Sequence, residues 1–82
     1  MPDSAMTLTV FSKPDCVQCD FTKRELDSKS LEYNEIDVTV DEEARKMLQE
    51  LGITQLPVVR IEHPFNDVEW WSGFRIEKLR AL

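Results

Sequence analysis

Glycine is scarce in this chain, two residues in 82, which leaves no room for flexible linkers or low-complexity tracts. No internal repeat is visible. Cysteine is equally scarce, also two, so a disulfide-stapled scaffold is excluded. A closed zinc site needs about four ligands, and with His63 the one other soft donor a single copy cannot fill it. No apolar stretch approaches the ~20 residues that span a bilayer, and Met1 to Met6 lacks the basic-then-apolar pattern of a secretory signal. Basic side chains number ten against sixteen acidic, and the formal charge of −6 argues against a nucleic-acid backbone or an anionic membrane as partner. What is present is 41% hydrophobic and 32% charged, the composition of a soluble globular protein. It is expected to form one domain over 1–82 and to reside in the cytoplasm.

The two cysteines stand in Cys16-Val17-Gln18-Cys19. On an α-helix that spacing puts both on one face with Cα atoms about 5 Å apart, inside the roughly 4.4–6.8 Å window that a disulfide bridges. The loop so closed is too short to stabilise a fold appreciably, because the chain-entropy contribution grows with loop length. In a reducing compartment the pair therefore points to exchange chemistry, with metal binding as the competing use.

Thr7 to Phe11 alternates and is rich in β-branched residues, which predicts a strand running directly into the cysteines. From Val17 to about Lys29 neither proline nor glycine interrupts good helix formers, so a helix should begin at the C-x-x-C. Leu31 to Val38 reads as a second strand, with Leu31, Tyr33, Ile36 and Val38 as inward candidates. Thr39-Val40-Asp41-Glu42 has capping-box spacing with Thr39 as the N-cap, and the acidic run Asp41 to Glu43 suits a helix N-terminus. Ala44, Met47, Leu48 and Leu51 then recur with helical period up to a terminating Gly52. Val58 to Glu62 reads as a third strand, His63 to Asp67 as a turn, Val68 to Trp71 as a fourth strand and Ile76 to Ala81 as a short final helix. The order βαβαββα describes an α/β domain with a four-stranded mixed sheet and three helices. A C-x-x-C beside a βαβ unit is the thioredoxin-like signal.

Cys16 should sit at the open N-terminus of the first helix, where unpaired backbone N–H groups and the dipole favour a thiolate. Lys13 would add positive charge there, while Asp15 and Asp20 would oppose it. Cys19, a turn further in, should be more buried. A Cys16 thiolate can then attack a partner disulfide, and Cys19 can resolve the mixed disulfide. Trp70 and Trp71 must point to opposite faces of a strand. The exposed one would form an apolar patch with Phe74, unless both pack beneath the final helix. His63, in a turn, receives no role.

Lys13-Pro14-x-Cys16-Val17-Gln18-Cys19, Leu56-Pro57-Val58-Val59 and Trp71-Ser72-Gly73-Phe74-Arg75 together resemble the NrdH-redoxins, small glutaredoxin-like proteins with thioredoxin-like activity. The resemblance implies a thioredoxin-like fold and a monomeric dithiol–disulfide oxidoreductase needing no cofactor or metal. Its electrons would come from thioredoxin reductase and pass to the large subunit of class Ib ribonucleotide reductase. It further implies Cys16 as nucleophile, Cys19 as resolving thiol, and Pro57 as a cis-proline bordering the dithiol, where residues alone would favour a trans-proline opening an edge strand. Trp71, Ser72, Gly73, Phe74 and Arg75 become a partner surface, joined by Lys13 and Leu56 beside the dithiol, with Leu56 offering backbone groups to an extended partner. The chain departs from that pattern at Ile76, where the family usually has proline. Two alternatives stay open. One is a glutathione-dependent glutaredoxin, although such proteins resemble one another in an acidic segment after a glycine pair where this chain has Phe74-Arg75. The other is non-enzymatic: a dimer sharing a metal between two C-x-x-C pairs, or a redox-inert adaptor using the apolar patch.

Overall fold

A computed structural model describes residues 6–82, so the reading of Met1 to Met6 lies, except at Met6, outside the described residues. Strand β1 spans Thr7–Ser12, helix α1 Val17–Ser28, β2 Asn34–Asp37, α2 Glu42–Glu50 and β3 Val58–Glu62. A 3-10 turn at Pro64–Asn66 leads into β4, Val68–Ser72, and α3, Ile76–Arg80. The strands lie in the order β2-β1-β3-β4, with β1 parallel to β2 and antiparallel to β3, and β3 antiparallel to β4. This is the thioredoxin-like βαβαββα arrangement.

Successive side chains along a strand point to opposite faces, so one sheet supports two cores. Leu8 and Val10 of β1, Val59 and Ile61 of β3 and Trp71 of β4 pack with Leu26 of α1 and Leu79 of α3. Phe11 of β1 and Val58 of β3 face the other way, onto Val38 and onto Ala44 and Leu48 of α2. Burying a leucine as fully as Leu26 or Leu79 contributes about 1.5–3 kcal/mol. The buried face of α1 is Cys19, Thr22 and Leu26, a helical stripe that sets the rotation of the helix and turns the second cysteine inward.

Three expectations are corrected. Strand β2 is shorter than Leu31 to Val38 because Leu31 belongs to the end of α1: Ser30 takes a left-handed φ of 57° and the Leu31 N–H donates to the Leu26 carbonyl at 3.1 Å. Helix α2 is capped by Asp41, whose carboxylate accepts the Ala44 N–H at 3.0 Å. Thr39 is diverted into a local turn, its N–H and hydroxyl both donating to Asp37 Oδ1 at 2.8 and 2.6 Å. Leu51 is 57% exposed, because α2 stops before it. There Gly52 at φ +76° allows its own N–H to reach the Gln49 carbonyl and that of Ile53 to reach Leu48, at 3.0 and 2.9 Å. Ile53 packs against the core in place of Leu51.

Candidate dithiol site

The strand register brings three distant segments to one end of the sheet. Phe11 pairs with Val58, so the residues that follow β1 and those that precede β3 emerge together. Val58 also pairs with Ser72, which adds the residues that follow β4. Cys16 to Cys19, Gln55 to Pro57 and Ser72 to Arg75 therefore share that end.

Cys16 occupies the N-cap of α1 in extended conformation, with the Cys19 N–H donating to its sulfur at 3.2 Å. A cysteine here does what serine or aspartate ordinarily does at a helix start. An N–H aimed at sulfur, together with the positive end of the helix dipole, favours a thiolate at this atom once the disulfide opens. Cys16 and Cys19 are joined as a disulfide with Cα atoms 5.2 Å apart. Their accessibility differs in the sense exchange chemistry requires: Cys16 keeps 8% exposure and Cys19 none. The Leu56–Pro57 peptide bond is cis.

Hydrogen bonds, two involving a side chain and one between backbones, lock the three segments together. Gln18, between the cysteines, accepts the Phe74 N–H through Oε1 at 3.1 Å. Gly73 donates its N–H to the Pro57 carbonyl at 2.7 Å, and the Ser72 hydroxyl donates to the Gln55 carbonyl at 2.9 Å. Gly73 has φ +85°, and a Cβ there would come within 3.2 Å of the Gln55 side chain, so glycine meets both a conformational and a spatial demand. Gln18, Phe21, Gln55 and residues 72–75 line the resulting cleft of about 480 Å³.

Of the residues that sequence assigned to this region, Lys13 and Arg75 are exposed, Leu56, Ser72 and Phe74 half-buried, and Pro57 and Gly73 buried. Trp71 does not join the surface. It is 6% exposed because it shares a sheet face with its β3 neighbour Val59, under α1 and α3. Trp70, more exposed, faces the other core, where it stacks on Phe11 at 6.1 Å with the Arg60 guanidinium 5.3 Å from its ring centre. The expected pairing of Phe74 with an exposed tryptophan is therefore replaced by a pairing with Phe21. Their ring centres are 5.8 Å apart, and Phe21 is 44% exposed. Gln18, Phe21 and Gln55 are the site residues that sequence reading passed over. For Phe21 a signal existed, an aromatic side chain on α1 outside the Cys19-Thr22-Leu26 stripe.

Behind the dithiol, Ser12 at the end of β1 and Lys23 on α1 both donate to Glu35 Oε2, at 2.9 and 2.7 Å. The bond from Lys23, helped by that from Ser12, holds the Glu35 carboxyl below its usual range, and Glu35 in turn raises the Lys23 ammonium. Among the described residues no three His, Cys, Asp or Glu side chains converge on a point that could hold a metal ion. No helix among them is long and apolar enough to cross a membrane.

Residues 8–65 match the Glutaredoxin family model. The chain is similar to the glutaredoxin-like protein NrdH of Salmonella typhimurium, at 35% identity over 94% of this chain and 89% of that protein. It is also similar to NrdH of Lactococcus lactis subsp. cremoris, at 32% identity over 92% of this chain and 97% of that one. Among solved structures, the NrdH-redoxin of Escherichia coli, a glutaredoxin-like protein with a thioredoxin-like activity profile, superposes with a TM-score of 0.80 at 34% identity over 93% of each chain.

Proposed function

This chain belongs to the glutaredoxin-like NrdH proteins, within a family of thiol–disulfide oxidoreductases, and from that premise we propose that it carries electrons from thioredoxin reductase to the large subunit of class Ib ribonucleotide reductase in the cytoplasm. In the donating step the Cys16 thiolate attacks one sulfur of the acceptor disulfide. A mixed disulfide forms, and the acceptor's other sulfur leaves as a thiolate and takes up a proton. Cys19, having given up its proton, then attacks the Cys16 sulfur, which releases the second acceptor thiol and leaves the Cys16–Cys19 disulfide. Two electrons have moved. The reductase returns them from NADPH by the same exchange in reverse.

The observation that carries this reading against a glutathione-dependent one is the structure of the Ser72–Arg75 loop. Phe74, whose N–H is engaged by Gln18 and whose ring packs on Phe21, presents apolar surface, and the Arg75 guanidinium is already paired with Glu77 at 2.9 Å. Glutathione brings an ammonium and two carboxylates. An apolar ring offers its polar groups no hydrogen bond, and a guanidinium already paired with Glu77 offers its carboxylates little, whereas a protein partner can use the apolar surface directly. Leu56 adds backbone for strand-like pairing with an extended partner segment, and Lys13 a cation ahead of Cys16. NADPH oxidation compared in two coupled assays provides the test, one with thioredoxin reductase and one with glutathione plus glutathione reductase. Faster turnover with thioredoxin reductase is expected. Equal or faster turnover with glutathione would replace this reading with a glutaredoxin.

A further inference from the structure

Next to the dithiol cleft a second groove of about 530 Å³ runs between α1 and α3. Phe21, Phe74 and Ile76 line it with apolar surface, Arg24 and Arg80 with guanidinium groups, and Glu25 with the one carboxylate. Phe21 and Phe74 line both cavities, so the groove continues the cleft that begins at Gln18, between the cysteines.

Its charge runs against that of the whole molecule. The chain carries −6, yet among the described residues neither Arg24 nor Arg80 is engaged in an ion pair, while neighbouring Arg75 is held by Glu77 at 2.9 Å. Arg24 lies 5.7 Å from the centre of the Phe21 ring, which keeps one cation over the apolar floor. A guanidinium presents a planar fork that pairs with carboxylate oxygens. At physiological ionic strength the screening length is ~8 Å, so a segment seated in the groove responds to these two arginines more than to the distributed acidic surface.

Resting on the dithiol-exchange reading above, we propose that this groove selects partner segments in which a large apolar side chain is flanked by carboxylates. Between protein disulfides of equal reactivity, the one on an acidic, apolar-anchored segment is reduced first. The apolar side chain seats on Phe21 and Phe74 while its acidic neighbours meet Arg24 and Arg80, and the partner disulfide lies beyond, over Cys16. Complementarity of this kind sets encounter rate and partner choice more than raw affinity.

The test uses two synthetic peptides with the same intramolecular disulfide, followed by a phenylalanine flanked either by aspartates or by lysines. Single-turnover reduction of each by the pre-reduced protein is followed at low ionic strength, with a small aromatic disulfide as a third substrate. The aspartate peptide is expected to react about five- to tenfold faster than the lysine peptide, as two partly exposed charge pairs would give. The ratio should fall toward one in about 0.5 M salt and in the Arg24→Gln/Arg80→Gln variant. It should largely survive in Arg24→Lys/Arg80→Lys, which keeps the charge. Equal rates, preference for the lysine peptide, or a ratio unchanged by loss of both arginines overturns the inference and leaves the dithiol reading standing. Failure to reduce even the small aromatic disulfide overturns both.

Discussion

The two ends of the sheet each carry a left-handed residue and an aromatic ring near the surface, yet they are built differently. At the dithiol end Asp15 and Gly73 are both left-handed, and Gly73 is fixed by bonds to segments far away in sequence, Pro57 and, through its neighbour Phe74, Gln18. At the β3–β4 tip the left-handed residue is Phe65, at φ 68°, 95% exposed, in a turn held by local bonds, His63 N–H to the Asp67 carbonyl at 2.7 Å and His63 Nε2 to Glu69 at 3.1 Å. Long-range bonds define the position of a surface relative to a reactive atom. Local ones only close a turn. Substitutions at the first end should therefore disturb function, and at the second only stability.

The sharpest test of that contrast is at the sulfurs. Cys16→Ser should abolish turnover, whereas Cys19→Ser should still attack and accumulate mixed disulfide with the partner, seen as a mass adduct. Gly73→Ala, forced into the left-handed region and against Gln55, should cost about 1–2 kcal/mol in denaturant unfolding and raise the KM for the protein reductase as the loop shifts. Gln18→Ala removes one hydrogen bond of about 0.5–1.5 kcal/mol from the loop's anchorage, so the same KM should rise up to about tenfold with kcat held. A Gln18→Ala protein with unaltered KM would separate the loop from the dithiol and break the comparison.

Smaller effects fall away from the dithiol. The depressed Glu35 carboxyl means that the unfolded chain binds more protons than the folded one in the acid range, so this group's contribution is present above the usual carboxylate range and is lost as pH falls through the folded value. Glu35→Gln should accordingly flatten the acid limb of stability below about pH 5, a modest change because the pair is partly exposed. Phe65→Gly at the far tip should relieve a left-handed conformation worth up to about 1–2 kcal/mol, offset in part by glycine's chain entropy, and leave turnover untouched. Loss of turnover in that variant would show the tip to be functional after all.

What was legible in the sequence follows the same division between local and long-range causes. The C-x-x-C at a helix start, the β-branched alternation of β1, the apolar run of β3 and the Ala44-Met47-Leu48 period of α2 are local patterns, and they read correctly. Strand β2 and the α2 cap were misread where two local signals compete: Leu31 serves the end of α1, and Asp37 captures Thr39 before it can cap. Alternation at Trp70-Trp71 requires opposite faces but cannot say which tryptophan is inside, since that is decided by the register against Val59 and Arg60. Gln18 is the extreme case. Its partner is 56 residues away, and nothing about a glutamine between two cysteines announces that bond.

The central claim is that the fold makes the two sulfurs unequal, with Cys16 the attacking one. Fully reduced protein treated with substoichiometric iodoacetamide at about pH 6–7, followed by peptide mass mapping, reads this directly, because alkylation samples the accessible thiolate. The account predicts modification at Cys16 well ahead of Cys19. Faster modification at Cys19 would contradict it.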